Sequence, residues 1–404
     1  MARLRGTRRH AVYKLTLEIL LLVSFVVLGL LVGWEVRLIC SDTLLFRNAK
    51  SFIERRIHGQ QTSTEEKSGV KEISSTENPK RWILRFKEDT LAEDLPDICR
   101  YELHPGQCVY VLQSLNAIVY EGHADDLPSL SRRLEEVLDF YEEDVSLSTQ
   151  EQLVASGAAD LDTTQSLREF AGRVGSAWDA ILQKRGVPRD CHGHGTHVAG
   201  IAAGSSYGVA RGAIVHAVRV VDCEGRGRAS DLLLGLQWVL EQQHKVHAEK
   251  KERAVVNVSL GAKMMQSIND AVTLLHRAGV PVTVAAGNLN EDACGSSPAS
   301  ASSAVTVGAF DRDKQRAWFS NFGGCVDVFA PGVDIRSAWP GWEEDDVEGE
   351  AILSGTSMAA PQVAGALALY LERYPLTSAD HAINAVLGNA TEDFGEASKW
   401  FATS

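Results

Sequence analysis

A serine at position 357 stands in Ser354-Gly-Thr-Ser357-Met-Ala-Ala-Pro361-Gln-Val-Ala-Gly365, where a glycine-containing turn meets a small-residue helical pattern. Such a junction places the hydroxyl at a helix N-terminus, where free amides and the positive dipole end favour a developing oxyanion. A tightly packed Ala/Gly helix would use the same small residues, so the reading depends on partners. One lies upstream, in Asp190-Cys-His-Gly-His194-Gly-Thr-His197-Val-Ala-Gly200. A serine hydroxyl is a weak nucleophile until an imidazole accepts its proton, and a buried carboxylate must hold that imidazole in the right tautomer. His194 is the candidate base. Three histidines so close together also raise a metal site, but no acidic third ligand follows at a helical interval. The chemistry on offer is acyl transfer.

The elements that would position these residues follow from periodicity. Ile214–Val221, Ala254–Ser259 and Val280–Ala286 are apolar enough for strands of a buried parallel sheet. Ala229–Leu240 and Ile268–His276 read as crossover helices between them, which argues an α/β fold. Ahead of this region, Trp82–Phe86 and Leu115–Tyr120 read as strands. Leu127, Leu130, Leu134 and Leu138 share one face of a helix over Leu127–Leu138, and Phe140–Val145 closes a small α+β unit.

The chain has 404 residues, 45% of them hydrophobic, enough for one large domain and a smaller one. A net charge of −13 excludes the basic footprint of a nucleic-acid binder. The N-terminus is different in kind. Arg3, Arg5, Arg8, Arg9 and Lys14 precede an apolar run from Ile19 to Trp34, extendable to Leu15–Val36. That is a secretory signal or a signal anchor. With no small-x-small cleavage pattern after Trp34, the anchor is favoured, its N-terminus cytoplasmic by the positive-inside rule. Residues 1–40 are therefore read as tail and anchor, and 41–79 as a polar linker. Residues 80–150 form the small unit, and 151–404 the main domain. Seven cysteines lie at 40, 99, 108, 191, 223, 294 and 325 without a CxxC pattern, so disulfides are the default in the secretory route.

Taken together, His194–Gly200, Ser354–Pro361 and Ala285-Ala-Gly-Asn288 resemble subtilisin-type serine proteases of the proteinase K branch, over about residues 81–404. The order Asp, His, Ser is also that family's. The resemblance implies a mostly parallel sheet flanked by helices, preceded by an inhibitory α+β prodomain that is cut near Ser148 to Gln152. It implies a nucleophile at Ser357, a base at His194 and an orienting carboxylate at Asp162. Asn288 would be the oxyanion donor. Ser259, Leu260 and Gly261 would pair with the substrate backbone, and Ala285, Ala286 and Gly287 would wall the specificity pocket. Cys191 with Cys223 and Cys294 with Cys325 resemble the two disulfides of aqualysin-type enzymes. Cys99 and Cys108 could form a third pair, leaving Cys40 odd. No cofactor is implied for the chemistry. A structural calcium ion at Asp327 is implied, with carbonyls near Ser302 and Ala304. The implied partners are protein or peptide substrates, the chain's own prodomain and, through residues 1–40, a membrane.

The pattern departs from the family around the third triad member. Asp162-Thr163 is followed by Thr164 where the family has glycine, and the stretch from Asp144 to Asp162 is shorter than the family's. Asp160 is the alternative carboxylate, chosen by an ungapped alignment to Arg173, and would put a charge inside a buried strand. Two functions follow. One is a secretory-route serine endopeptidase made as a zymogen. The other is a catalytically impaired protein that keeps its prodomain and serves as a protein-binding module.

Overall fold

The computed structural model describes residues 78–103, 107–149, 152–153, 167–170, 172–186, 190–250, 253–340 and 349–390. The apolar run at Leu15–Val36, Cys40, Asp160 and Asp162 lie outside the described residues. Among the described residues no helix is long and apolar enough to cross a membrane.

The first layer is an antiparallel sheet in the order β2-β3-β1-β4. It comprises β1 (Lys80–Phe86), β2 (Cys108–Leu112), β3 (Ala117–Gly122) and β4 (Leu138–Glu143), with helices α1 (Leu95–Tyr101) and α2 (Leu127–Arg133). Side chains alternate across a strand, and here both faces are covered. Leu84, Phe86, Ile118 and Tyr120 meet Leu95, Leu127 and Leu130 in a core of the layer's own. Ile83, Ala117 and Val119 point the other way and join the core of the main domain. The strands therefore read as near-continuous apolar runs. The helix predicted over Leu127–Leu138 stops at Arg133. Lys87 Nζ donates to the carbonyls of Glu135 (2.9 Å) and Glu136 (3.0 Å), which holds that segment as a turn into β4.

Strands β5 (Ser146–Thr149) and β6 (Gln152–Leu153), helix α3 (Leu167–Phe170), β7 (Trp178–Asp179) and β8 (Lys184–Arg185) lead into the main domain. There follow α4 (His194–Ala203), β9 (Val218–Arg219), β10 (Arg226–Arg228) and α5 (Ala229–Lys250). Next come β11 (Val256–Val258), β12 (Leu260–Lys263), α6 (Gln266–Arg277), β13 (Val282–Ala285) and β14 (Ser296–Ser297). The chain closes with β15 (Val305–Phe310), β16 (Val328–Pro331), β17 (Ile335–Trp339), β18 (Gly349–Ser354), α7 (Thr356–Arg373) and α8 (Ala379–Gly388). The central sheet, β11-β13-β15-β16, is wholly parallel. Every residue of β13 and β15 is buried, as expected for strands with helices on both faces. The fold is α/β, with smaller antiparallel sheets at its margins.

Two predicted elements change length. The strand expected over Ile214–Val221 shrinks to β9 and a single bridge between Val174 and Val215. Ile214 is exposed, so the apolar run there is not a core strand. The helix expected to end at Leu240 continues to Lys250. Among the described residues three disulfides form, Cys99–Cys108, Cys191–Cys223 and Cys294–Cys325.

Candidate active site

Ser357 is the second residue of α7, at the point where β18 ends, and it is fully buried. Its Oγ donates to the Ser259 carbonyl at 3.2 Å. Pro361, four residues on, has no N–H to offer the Ser357 carbonyl in the usual helical bond. Ser259 Oγ supplies that bond instead, at 2.9 Å. The two serines thus hold each other, and Ser259 sits immediately before β12. Ser259→Ala should remove this hydrogen bond from the buried Ser357 carbonyl and cost about 1 kcal/mol. Thermal unfolding of the variant checks this, and an unchanged midpoint would contradict it.

Asn288 follows β13 through Gly287, which has φ +106° and no room for a side chain. A Cβ there would stand 2.4 Å from Asn321 Nδ2. Asn321 braces the same loop, donating to Ala286 O at 2.9 Å and accepting from the Leu289 and Glu291 amides. The Asn288 amide is oriented by Thr356. Its Oδ1 accepts from Thr356 N (2.9 Å) and Thr356 Oγ1 (2.8 Å), which fixes which end is oxygen. Its Nδ2 is left buried with no hydrogen-bond partner among the described residues. An orphaned buried donor is costly, and this one sits beside the residue that precedes Ser357.

His194 opens α4, whose body packs against α7. The preceding Gly193 has φ +98°, and a Cβ there would strike the Trp339 ring at 2.4 Å. Burial, then the neighbouring His192, push the His194 pKa down to about 3, with Asp190 acting upward and His197 downward. The imidazole is therefore uncharged near neutrality and able to accept a proton. His197 is buried too, its pKa lowered to about 4 by burial, and its Nε2 bonds Ala351 O at 3.1 Å. Among the described residues no cluster of His, Cys, Asp or Glu is arranged to hold a metal. At the other end of α4, Arg173 Nη1 donates to Ala203 O (2.8 Å) and Ala213 O (2.7 Å).

The Ser259-Leu260-Gly261 segment lies against β5. Leu260 pairs with Thr149 and Gly261 with Ser148, while β10 flanks β5 on its other edge through Gly227 and Leu147. Leu147 is buried in the main core. Beyond Thr149, Gln152 pairs with Ser354 and Leu153 with Leu353, three and four residues before Ser357. The chain thus touches both sides of the nucleophile's neighbourhood. Two carboxylates fasten the layer that precedes β5. Glu142 accepts from the amides of Gln266 (3.1 Å) and Ser267 (2.8 Å) at the start of α6. Asp144 accepts from Ser230 N and Oγ, both at 2.8 Å, at the start of α5. Ala285, Ala286 and Gly287 line the end of β13 beside Asn288.

Asp327 is apart from this cluster. Its Oδ2 accepts from Thr306 N at 2.8 Å, and burial pushes its carboxyl up from the ordinary value. One carboxylate, half engaged, is a thin donor set for calcium, although a buried charge of that kind would be relieved by a cation. Sequence reasoning assigned no part to Thr356, Asn321 or Asp190. All three act through contacts with residues distant in sequence or through loop geometry, which leave no periodic signal.

A parallel sheet between helices, with a buried serine and a buried histidine each at a helix start, places the chain in the α/β class. Residues 128–400 match the model of the subtilase family, and the chain belongs to that family. It is 46% identical over 226 residues to an extracellular serine proteinase of Thermus sp. (strain Rt41A), covering 56% of this chain and 52% of that protein. It is 43% identical over 227 residues to subtilisin-like protease 3 of Pseudogymnoascus destructans, covering 56% and 54%. The chain spans about half the length of these curated relatives. A crystal structure of a cold-adapted subtilisin-like serine proteinase superimposes with TM-score 0.53 at 37% identity, covering 60% of this chain and 85% of that one.

Proposed function

We propose that this chain is a serine endopeptidase made as a zymogen. The observation that carries the reading is the Asn288 amide, held by Thr356 so that an unpaired Nδ2 is buried next to the Ser357 turn. In the reaction, Ser357 Oγ gives its proton to His194 and attacks the peptide carbonyl. The oxyanion formed takes hydrogen bonds from Asn288 Nδ2 and the free amides at the start of α7. Collapse passes the His194 proton to the leaving amine, and water then frees the acyl group by the same steps in reverse order. Asp162 would orient His194. Asp327 would supply the carboxylate of a structural calcium site.

Residues 80–149 would act as prodomain and inhibitor. The strand β5, held between β10 and β12, occupies the place an extended substrate would take, a case of β-augmentation. Self-cleavage would fall between Thr149 and Gln152. Three disulfides among the described residues favour an oxidising compartment. That supports a secretory-route enzyme, with Leu15–Val36 as its anchor, acting on lumenal or extracellular proteins and peptides. The test is fluorophosphonate labelling of the full chain, with N-terminal sequencing of any processed form. Labelling and a new N-terminus between residues 150 and 152 are expected; an unlabelled, uncut chain overturns the proposal.

Docking of the prodomain should depend on pH through Asp144. Burial against α5 raises its carboxyl above the usual 3.8, partly offset by the Ser230 bonds and by Arg228 and Arg81. A carboxyl raised in the docked state binds its proton more tightly there than when free. Docking is therefore strongest at or below pH 3.8 and weakens as pH rises through the raised value. Co-elution of the cut prodomain with the enzyme should fall over that rise. Asp144→Asn should flatten the dependence, and an equally steep profile in the variant would count against this account.

A further inference from the structure

Asp190 does something beyond spacing the histidines. Its Oδ1 accepts from His192 N (3.2 Å) and Gly193 N (2.7 Å). Its Oδ2 accepts from Thr196 N (2.7 Å) and Thr196 Oγ1 (2.7 Å). One carboxylate thus gathers four donors from the two residues before His194 and the one two places after it. The helix cap itself is Gly193, which has no side chain to offer. Asp190 therefore does the capping from three residues upstream, where a negative charge also meets the positive end of α4. Gly193, in its left-handed conformation, is pinned between this carboxylate and the Trp339 ring. Cys191, the next residue after Asp190, is tied by its disulfide to Cys223, which precedes β10.

We propose that Asp190 is a positioning residue for His194: it locks the turn that aims the imidazole, and its fixed negative charge favours the imidazolium formed when Ser357 gives up its proton. The inference rests on the reading of His194 as the base. All four bonds go to the turn and none to the imidazole, so Asp190 is distinct from the orienting carboxylate assigned to Asp162. Among the described residues, the charged and titratable groups that act on His194 are His192 and Asp190 from the loop and His197 from α4. Of these, Asp190 alone favours the protonated ring, against burial and both histidines.

The test compares the full wild-type chain with Asp190→Asn and Asp190→Glu, each counted by fluorophosphonate-labelled sites. Asp190→Asn loses the charge and turns an amide N–H₂ toward two of the four donors. Its kcat per labelled site should fall on the order of 10–100-fold, the size of a small misplacement of a catalytic group, with KM unchanged. The acidic limb of its kcat/KM profile should move to lower pH. Asp190→Glu keeps the charge but not the reach, so its kcat should fall while the limb stays at the wild-type pH. A merely structural role would lower the labelled fraction and leave both quantities per site unaltered, which overturns the proposal. So does a limb that moves equally in both variants. Should Asp190→Asn give no labelled sites, a limb displaced in Asp190→Glu overturns the proposal and an undisplaced limb with reduced kcat upholds it. An unlabelled wild type fails the base assignment itself and this inference with it, whereas a labelled wild type with unaltered variants fails this inference alone.

Discussion

Ser357→Ala is expected to erase fluorophosphonate labelling and leave the prodomain joined to the rest of the chain. On the proposed reading the variant lacks the nucleophile, and with it a factor of about 10⁶ in kcat, the size established for the nucleophile of a subtilisin. It should still fold. The substitution removes the 3.2 Å donation from Ser357 Oγ to Ser259 O. The Ser357 carbonyl keeps its bond from Ser259 Oγ, so α7 starts as before. Gel analysis of the expressed chain and a thermal melt make the measurement. A cut chain from the alanine variant would mean that another protease, or another residue, performs the step.

Asn288→Ala should lower kcat by about 10²–10³ with KM little changed, again the magnitude known for one oxyanion donor in a subtilisin. The reason is local. Nδ2 has no partner among the described residues, so on the proposed reading its deletion would cost the resting protein little while the oxyanion would lose a preorganised bond. Alanine also removes the acceptor for Thr356, so Asn288→Asp is the cleaner comparison. Its Oδ1 can still accept from Thr356 N and Oγ1, whereas its second oxygen has no hydrogen to give. Aspartate should therefore keep the two Thr356 bonds and lose at least as much kcat as alanine. An aspartate variant with undiminished kcat would show that Asn288 does not touch the reacting carbonyl.

Much of the fold was legible in the chain itself. The Ser357 and His194 motifs carry their own local geometry, and the buried runs around Val282–Ala285 gave the parallel sheet. What resisted reading was non-local. The apolar run at Ile214–Val221 satisfies a strand pattern, yet only Val218–Arg219 finds a partner strand. The leucine spacing beyond Arg133 satisfies a helix pattern, yet Lys87, just past the end of β1, claims the carbonyls of Glu135 and Glu136. Near the site, Asn321 and Thr356 were silent because an amide bracing a loop has no period. Asp190 was visible as a residue within the histidine motif, but its four bonds depend on a left-handed glycine that only the folded turn reveals. Asp162, the least family-like member of the site, lies outside the described residues.

The pairing of β5 with both β10 and β12 has a consequence for what this cleft can accept. Once that strand departs, two sheet edges face one another with their amides and carbonyls open. Any chain entering must be pulled straight for the four residues that β5 now supplies. Within a folded protein, straightening such a stretch first requires local unfolding, at a free energy that ranges from near zero in frayed loops to the full stability of a core. Under the proposed function, the cleft would therefore rank its targets by how readily they unravel, before any side chain is consulted, and would spare a compact neighbour in the same compartment.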